Sequence, residues 1–94
     1  MPELVTWVSA QIARDRHHEV TEPYAAALAA GLPPGIAQTM LIRDGDELGI
    51  MTVWTRRKDL DAMIESGEEP FARRLLRSAG GTQVVRVFDV EAQA

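Results

Sequence analysis

Residues 3–13, ELVTWVSAQIA, alternate with a period of two and are rich in β-branched side chains, which predicts a strand. Leu4, Val8, Ala10 and Ile12 fall near one face, and Val5, Trp7, Ser9 and Gln11 fall on the other. RDRHHEV is polar and turns the chain. Thr21 offers an N-cap, and Pro23 suits a first helical turn because its missing N–H would have no partner there. EPYAAALAAG then reads as an alanine-rich helix stopped by Gly31, and LPPG ends it. IAQTMLIR and ELGIMTVWT are the next strands, joined through DGD, a favoured hairpin turn. A two-residue loop of Asp44 and Gly45 sets Arg43 opposite Asp46. One face then holds Ile36, Gln38, Met40 and Ile42 with Gly49, Met51 and Val53. The other holds Ala37, Thr39 and Leu41 with Leu48, Ile50, Thr52 and Trp54. A one-residue bulge would exchange one strand between these sets.

Thr55 is the natural cap of a helix RRKDLDAMIES, whose apolar stripe is Leu60, Met63 and Ile64. Gly67 interrupts, a further helix starts at Pro70 with Phe71, Leu75 and Leu76 inward, and Gly80-Gly81 stops it. TQVVRVFDV is the fourth strand and EAQA a frayed tail. The order β-α-β-β-α-(α)-β predicts an α+β, ferredoxin-like split antiparallel sheet with its helices on one face. The other face is left bare, and the expected occupants are Trp7, Leu41, Ile50, Trp54 and Phe88. Monomers seldom expose more than a few hundred Å² of contiguous apolar surface, so a second copy laid face to face is the expected cover.

At 94 residues the chain is read as one domain, residues 1–94, able to bury roughly 60–70% of its unfolded surface. The net charge of −4 argues against a nucleic-acid partner, and Arg56-Arg57-Lys58 and Arg73-Arg74-Arg77 are only local basic clusters. Having no cysteine, the chain has no disulfide, thiolate nucleophile or cysteine-held metal, and this agrees with a cytoplasmic location. MPELVTWVSA carries acid rather than base ahead of its apolar residues, unlike a secretory signal. No run approaches the ~20 apolar residues of a membrane helix. GxGxxG, P-loop, GxSxG and HExxH patterns are all missing, which sets aside nucleotide-dependent and serine-hydrolase chemistry.

The strand order, the PPG leading into the second strand and the segment VWTRRKDLDAMIESG together resemble the dimeric α+β barrel superfamily, in particular its antibiotic-biosynthesis-monooxygenase-like (ABM) members. The resemblance spans nearly the whole chain. It implies two sheets packed into a shared barrel, with a pocket between sheet and helices in each protomer. The family includes monooxygenases of polycyclic aromatic and quinol substrates that need no cofactor, haem-degrading enzymes, and proteins with no assigned activity. Trp54 matches its strand-three tryptophan, and Arg86 corresponds to a pocket arginine on strand four. The first-strand amide has no match, because the chain lacks asparagine, so Ser9 or Gln11 would substitute. The haem-degrading branch uses a histidine on the helix after strand three, and residues 56–79 contain none.

Candidate chemistry follows. Trp54, Arg86 and Ser9 are the candidate catalytic residues, and Trp7, Gln11, Thr39, Ile50 and Thr52 the candidate pocket. Each competes with a plainer role: tryptophans fill cores and interfaces, threonines suit strands, and Arg86 within VVRVF needs either an acid or water. His17 and His18 are candidates for proton transfer, although as neighbours they point apart, and Pro23 argues against a regular helix joining His18 to Glu22. No metal and no cofactor is expected. Two functions stand side by side, a cofactor-independent monooxygenase of a small aromatic or quinol and a non-catalytic dimeric ligand-binding or structural protein.

Overall fold

The computed structural model describes residues 2–67 and 71–93. Strand β1 spans Leu4–Gln11, and helix α1 His18–Ala30 follows after a single 3-10 turn at Arg14–Arg16. Strands β2 Ile36–Asp44 and β3 Glu47–Trp54 form a hairpin. Helices α2 Arg57–Glu65 and α3 Phe71–Ser78 lead to β4 Gln83–Asp89; the expected helix start at Pro70 lies outside the described residues. The four strands make one sheet in the order β2-β3-β1-β4, every pair antiparallel. This is the ferredoxin-like arrangement that the element order predicts. Among the described residues no helix is long and apolar enough to cross a membrane.

Register decides which side chains meet the helices. Leu4 pairs with Trp54, Thr6 with Thr52, Val8 with Ile50 and Ala10 with Leu48, so these eight residues share a face. It is the face under the helices, because Val8, Ala10, Leu48 and Ile50 pack there with Val20, Tyr24, Leu75 and Leu76. Leu41, Ile50 and Trp54 were expected on the bare face and lie on the covered one. The alternation grouped them correctly, but it does not say which group the helices cover. Trp7 and Phe88 do lie on the open face, with Met40, Met51 and Arg86. Trp7 lies across Gly49 of the neighbouring strand, where an added Cβ would sit 2.1 Å from the indole ring. Only glycine permits that contact.

Two local departures have clear causes. The hairpin pairs Asp44 with Glu47, so its loop is Gly45-Asp46 rather than Asp44-Gly45. Gly45 has φ +60 and Asp46 does not enter the positive-φ region, as in a type II′ turn, whose glycine comes first. The two-residue shift preserves the parity of the hairpin. A bulge between Ile36 and Gln38 then turns Ile36 to the covered face, against Leu4, Trp54 and Leu60. Helix α1 starts three residues ahead of Thr21: the carbonyl of His17 accepts from the N–H groups of Val20 and Thr21. His18 and Glu22 therefore do share a helix, and exposed Pro23 is accommodated within it. Arg16 pairs with Glu19 at 2.6 Å and, chiefly through that hydrogen bond, holds the Glu19 carboxyl below its usual range. The stabilisation from this pair is present above the unfolded carboxylate's range and fades as pH falls through the lowered folded value.

Helix α2 is capped from a distance rather than by Thr55. The Arg57 N–H donates to Glu3 Oε1 at 2.9 Å, and the Arg57 guanidinium pairs with Asp89. The helix start is thus tied to the first residues of the chain and the last of β4. Of its expected apolar stripe, Leu60 is buried, Met63 half-buried and Ile64 exposed. Leu60 forms a small core with Leu4 and Trp54, separate from the larger core of Val8, Val20, Tyr24, Ile50 and Leu76. Leu4 is wholly inaccessible. Leu4→Ala should cost about 2–5 kcal/mol in urea unfolding, because so small a cluster cannot collapse onto the void.

Candidate functional site

Between the two cores the helix layer leaves a gap. Its floor is a row of threonines, since the register sets Thr39 beside Thr52 and Thr52 beside Thr6 across three strands. Above this row is a cavity of about 1130 Å³, bounded by the C-terminal half of α1, by α2, by α3 and by Val85 and Val87 of β4. Trp54, Leu60 and Met63 close one end, and Phe71, Ala72 and arginines of α3 border the other. α1 leaves room here because its second half is mostly alanine, and short side chains cannot fill the space down to the sheet.

The polar groups of the floor are connected. Trp54 Nε1 donates to Thr6 Oγ1 at 3.1 Å, Tyr24 OH donates to Thr39 Oγ1 at 2.9 Å, and the Thr39 and Thr52 hydroxyls lie 3.5 Å apart. Among the described residues no buried side-chain polar atom lacks a partner. The floor therefore offers hydroxyl groups that donate or accept as a ligand requires. Trp54 is 97% buried, so most of its indole serves packing and only a margin faces the cavity.

The sequence candidates divide between the two sides of the sheet. Thr39, Thr52 and Trp54 line the cavity, whereas Ile50 is packed into the larger core. Trp7, Ser9, Gln11 and Arg86 belong to the opposite face, so one chain does not unite them with Trp54. The Arg86 guanidinium lies 4.6 Å from the Phe88 ring centroid, a cation–π contact that answers the need for a partner on an apolar strand. His17 is buried, not an exposed loop residue, because the chain has already begun to coil. Its Nε2 lies 2.7 Å from the Ile12 carbonyl, which accepts, so Nε2 carries the proton. It borders a second, shallower hollow of about 390 Å³ with Arg14, Thr21 and Arg43. His18 is exposed at the start of α1. Among the described residues no three histidines, aspartates or glutamates gather as metal ligands do.

Thr6, like Val85, Val87, Arg73 and Arg74, lines the cavity without a signal in the sequence that places it there. Its alignment with Thr52 depends on pairing between distant strands, and only the face it shares with Leu4 and Val8 was visible. Thr6→Val should cost about 1–3 kcal/mol in urea unfolding by leaving a buried indole N–H without its acceptor. Thr6→Ser keeps the hydroxyl and should restore most of that loss.

No protein-family model matches the chain, and no curated protein matches it. Solved structures do. A protein of unknown function from Nitrosomonas europaea superimposes with a TM-score of 0.74 at 13% identity, covering 100% of this chain and 94% of that one. A mutant of SnoaB, a cofactor-independent oxygenase from Streptomyces nogalater, gives 0.71 at 14% identity over 99% and 97% of the two chains. A monooxygenase from Streptomyces coelicolor, in complex with nanaomycin D, gives 0.70 at 15% identity over 99% and 91%. At 13–15% identity these likenesses show the fold alone: the chain has a ferredoxin-like α+β fold similar to that of ABM-type oxygenases.

Proposed function

We propose that the cavity above the threonine row binds a small aromatic or quinol molecule, and that the protein is a cofactor-independent monooxygenase of that substrate. The observation that carries the proposal is the cavity itself, about 1130 Å³ and bordered by Trp54, Leu60, Met63, Val85 and three threonine hydroxyls. Mostly apolar walls with a few convergent polar groups are what a flat aromatic with phenolic substituents needs. In the reaction an electron-rich substrate ArH2 reacts with O2 to give ArO and water. One oxygen atom enters the ring system, and the two hydrogens leave with the other. All four electrons come from the substrate, so no external reductant is required. The protein contributes orientation and exclusion of water, with the hydroxyls of Thr6, Thr39 and Thr52 holding the phenolic groups. The cysteine-free composition agrees with a cytoplasmic setting.

A second reading is favoured by one feature of the lining. Among the described residues it includes no histidine, and its acid, Asp59, already pairs with Arg56 at 3.2 Å. With no general base in reach, the same cavity suits a carrier or sensor of aromatic molecules. Oxygen uptake with a panel of quinols and polyphenols separates the two. Turnover that falls about tenfold or more in Thr52→Val, the size expected for a lost orienting contact, supports the enzyme. Saturable binding with no uptake above background across the panel supports the carrier.

Homodimerisation through the open sheet face belongs to the same proposal. Met40, Ile42, Val84 and Phe88 on that face are all exposed in one chain, with Trp7 and Met51 between them. Such a patch calls for an apolar cover, and a second copy brings Trp7, Gln11 and Arg86 of both chains to a common interface, whereas Ser9 is already buried within each chain. Light scattering at micromolar concentration should return twice the chain mass, and Ile42→Asp should return the monomer. A monomeric mass for the unaltered protein would refute the dimer.

A further inference from the structure

The protein carries a net charge of −4, yet the α3 border of the cavity is basic. Arg73 and Arg74 line it, and Arg77 follows one turn later on the same helix. Among the described residues no carboxylate pairs with Arg73 or Arg74. Asp59, the acid of the lining, has its charge matched by Arg56.

Both guanidinium groups are positioned rather than loose. Arg73 Nε lies 3.4 Å from Gln83 Oε1, and the Gln83 amide donates back to the Arg73 carbonyl, which ties the helix to β4. That contact engages Nε, and among the described residues no carboxylate takes the terminal nitrogens. Arg74 lies 5.9 Å from the centroid of Phe71, itself a cavity residue stacked on Tyr24. Two cations held at the rim of an apolar cavity, without an acid paired to them among the described residues, attract a negative charge on whatever fills it.

We infer that the ligand of this cavity is an aromatic acid: a ring system seated over the threonine row, with a carboxylate reaching the guanidinium groups of Arg73 and Arg74. The inference rests on the proposal that the cavity is a ligand site and adds the ligand's charge and orientation. The apolar end, at Trp54 and Leu60, takes the ring most distant from the acid. The arginine contacts fix which edge of the ring system meets the hydroxyls.

Equilibrium dialysis with anthracene carboxylate and its neutral hydroxymethyl analogue tests this directly. The protein should retain the carboxylate about tenfold more tightly, the order expected of a charge-assisted contact at a partly exposed rim. The double variant Arg73→Gln, Arg74→Gln should bind both probes as the unaltered protein binds the neutral one. Both side chains are exposed, so losing the Gln83 and Phe71 contacts should lower its urea midpoint only slightly. Equal retention of the two probes by the unaltered protein would overturn the acid while leaving the cavity as a site. A preference that survives in the double variant would overturn the assignment to α3. Retention of neither probe would overturn this inference and the reading of the cavity together.

Discussion

The threonine row Thr39–Thr52–Thr6 crosses three paired strands and divides the covered face of the sheet into two apolar fields. On one side Ile36, Trp54 and Leu4 meet Leu60 of α2. On the other, Leu41, Ile50 and Val8 meet residues of α1 and α3. Hydroxyls cannot be roofed by aliphatic side chains without finding partners, since a buried unpaired hydroxyl costs about 1–3 kcal/mol. Here they pair with one another, with Tyr24 and with the Trp54 indole. The helices pack over the two fields and leave the row as the floor of the cavity. Position, shape and polarity of the candidate site all follow from this division.

The same division explains what Trp54 does. Burying such a side chain contributes about 2–3 kcal/mol, which is reason enough to retain it in a core of three residues. Its indole N–H is nonetheless held by Thr6, a residue of the cavity floor. Packing and pocket are therefore one arrangement: the tryptophan that completes the smaller core also supplies the wall of the space beside it. A ligand that presses on this margin would couple to the strength of the smaller core and, through Leu60, to the placement of α2.

Much of this was legible in the chain itself. Period-two alternation gave the strands and their parity, Gly31 and the PPG segment gave the end of α1, and the element order gave the sheet topology. What stayed hidden depends on contacts between residues far apart in sequence. Alternation sorts Leu41, Ile50 and Trp54 together but is blind to which side the helices take. The bulge that turns Ile36 inward has no local signature stronger than the strand around it. The polarity of RDRHHEV points to an exposed turn at His17, whereas the 3-10 turn at Arg14–Arg16 runs directly into α1 and buries it. The resemblance implies a pocket role for Arg86, and only the pairing of β4 with β1 shows that it shares a face with Trp7 rather than with Trp54.

Strand β4 carries the consequence furthest. An edge strand with apolar residues on both faces is normally a liability, because it invites pairing with any exposed strand. Val84 and Phe88 on one face are 55% and 39% exposed, and Val85 and Val87 on the other are 45% and 50% exposed. Helix α3 reaches β4 at Gln83, but its Leu75 and Leu76 pack with Val8 and Ala10, and Val85 and Val87 stay exposed. Val85 and Val87 border the cavity, so a ligand seated there removes them from water. Val84 and Phe88 remain for the partner chain proposed on the open face. One strand would thus be covered by a ligand on one side and by a protein on the other. Filling the cavity would then stiffen the strand whose other face the proposed partner would cover, and this linkage would arise from the size of the helix layer.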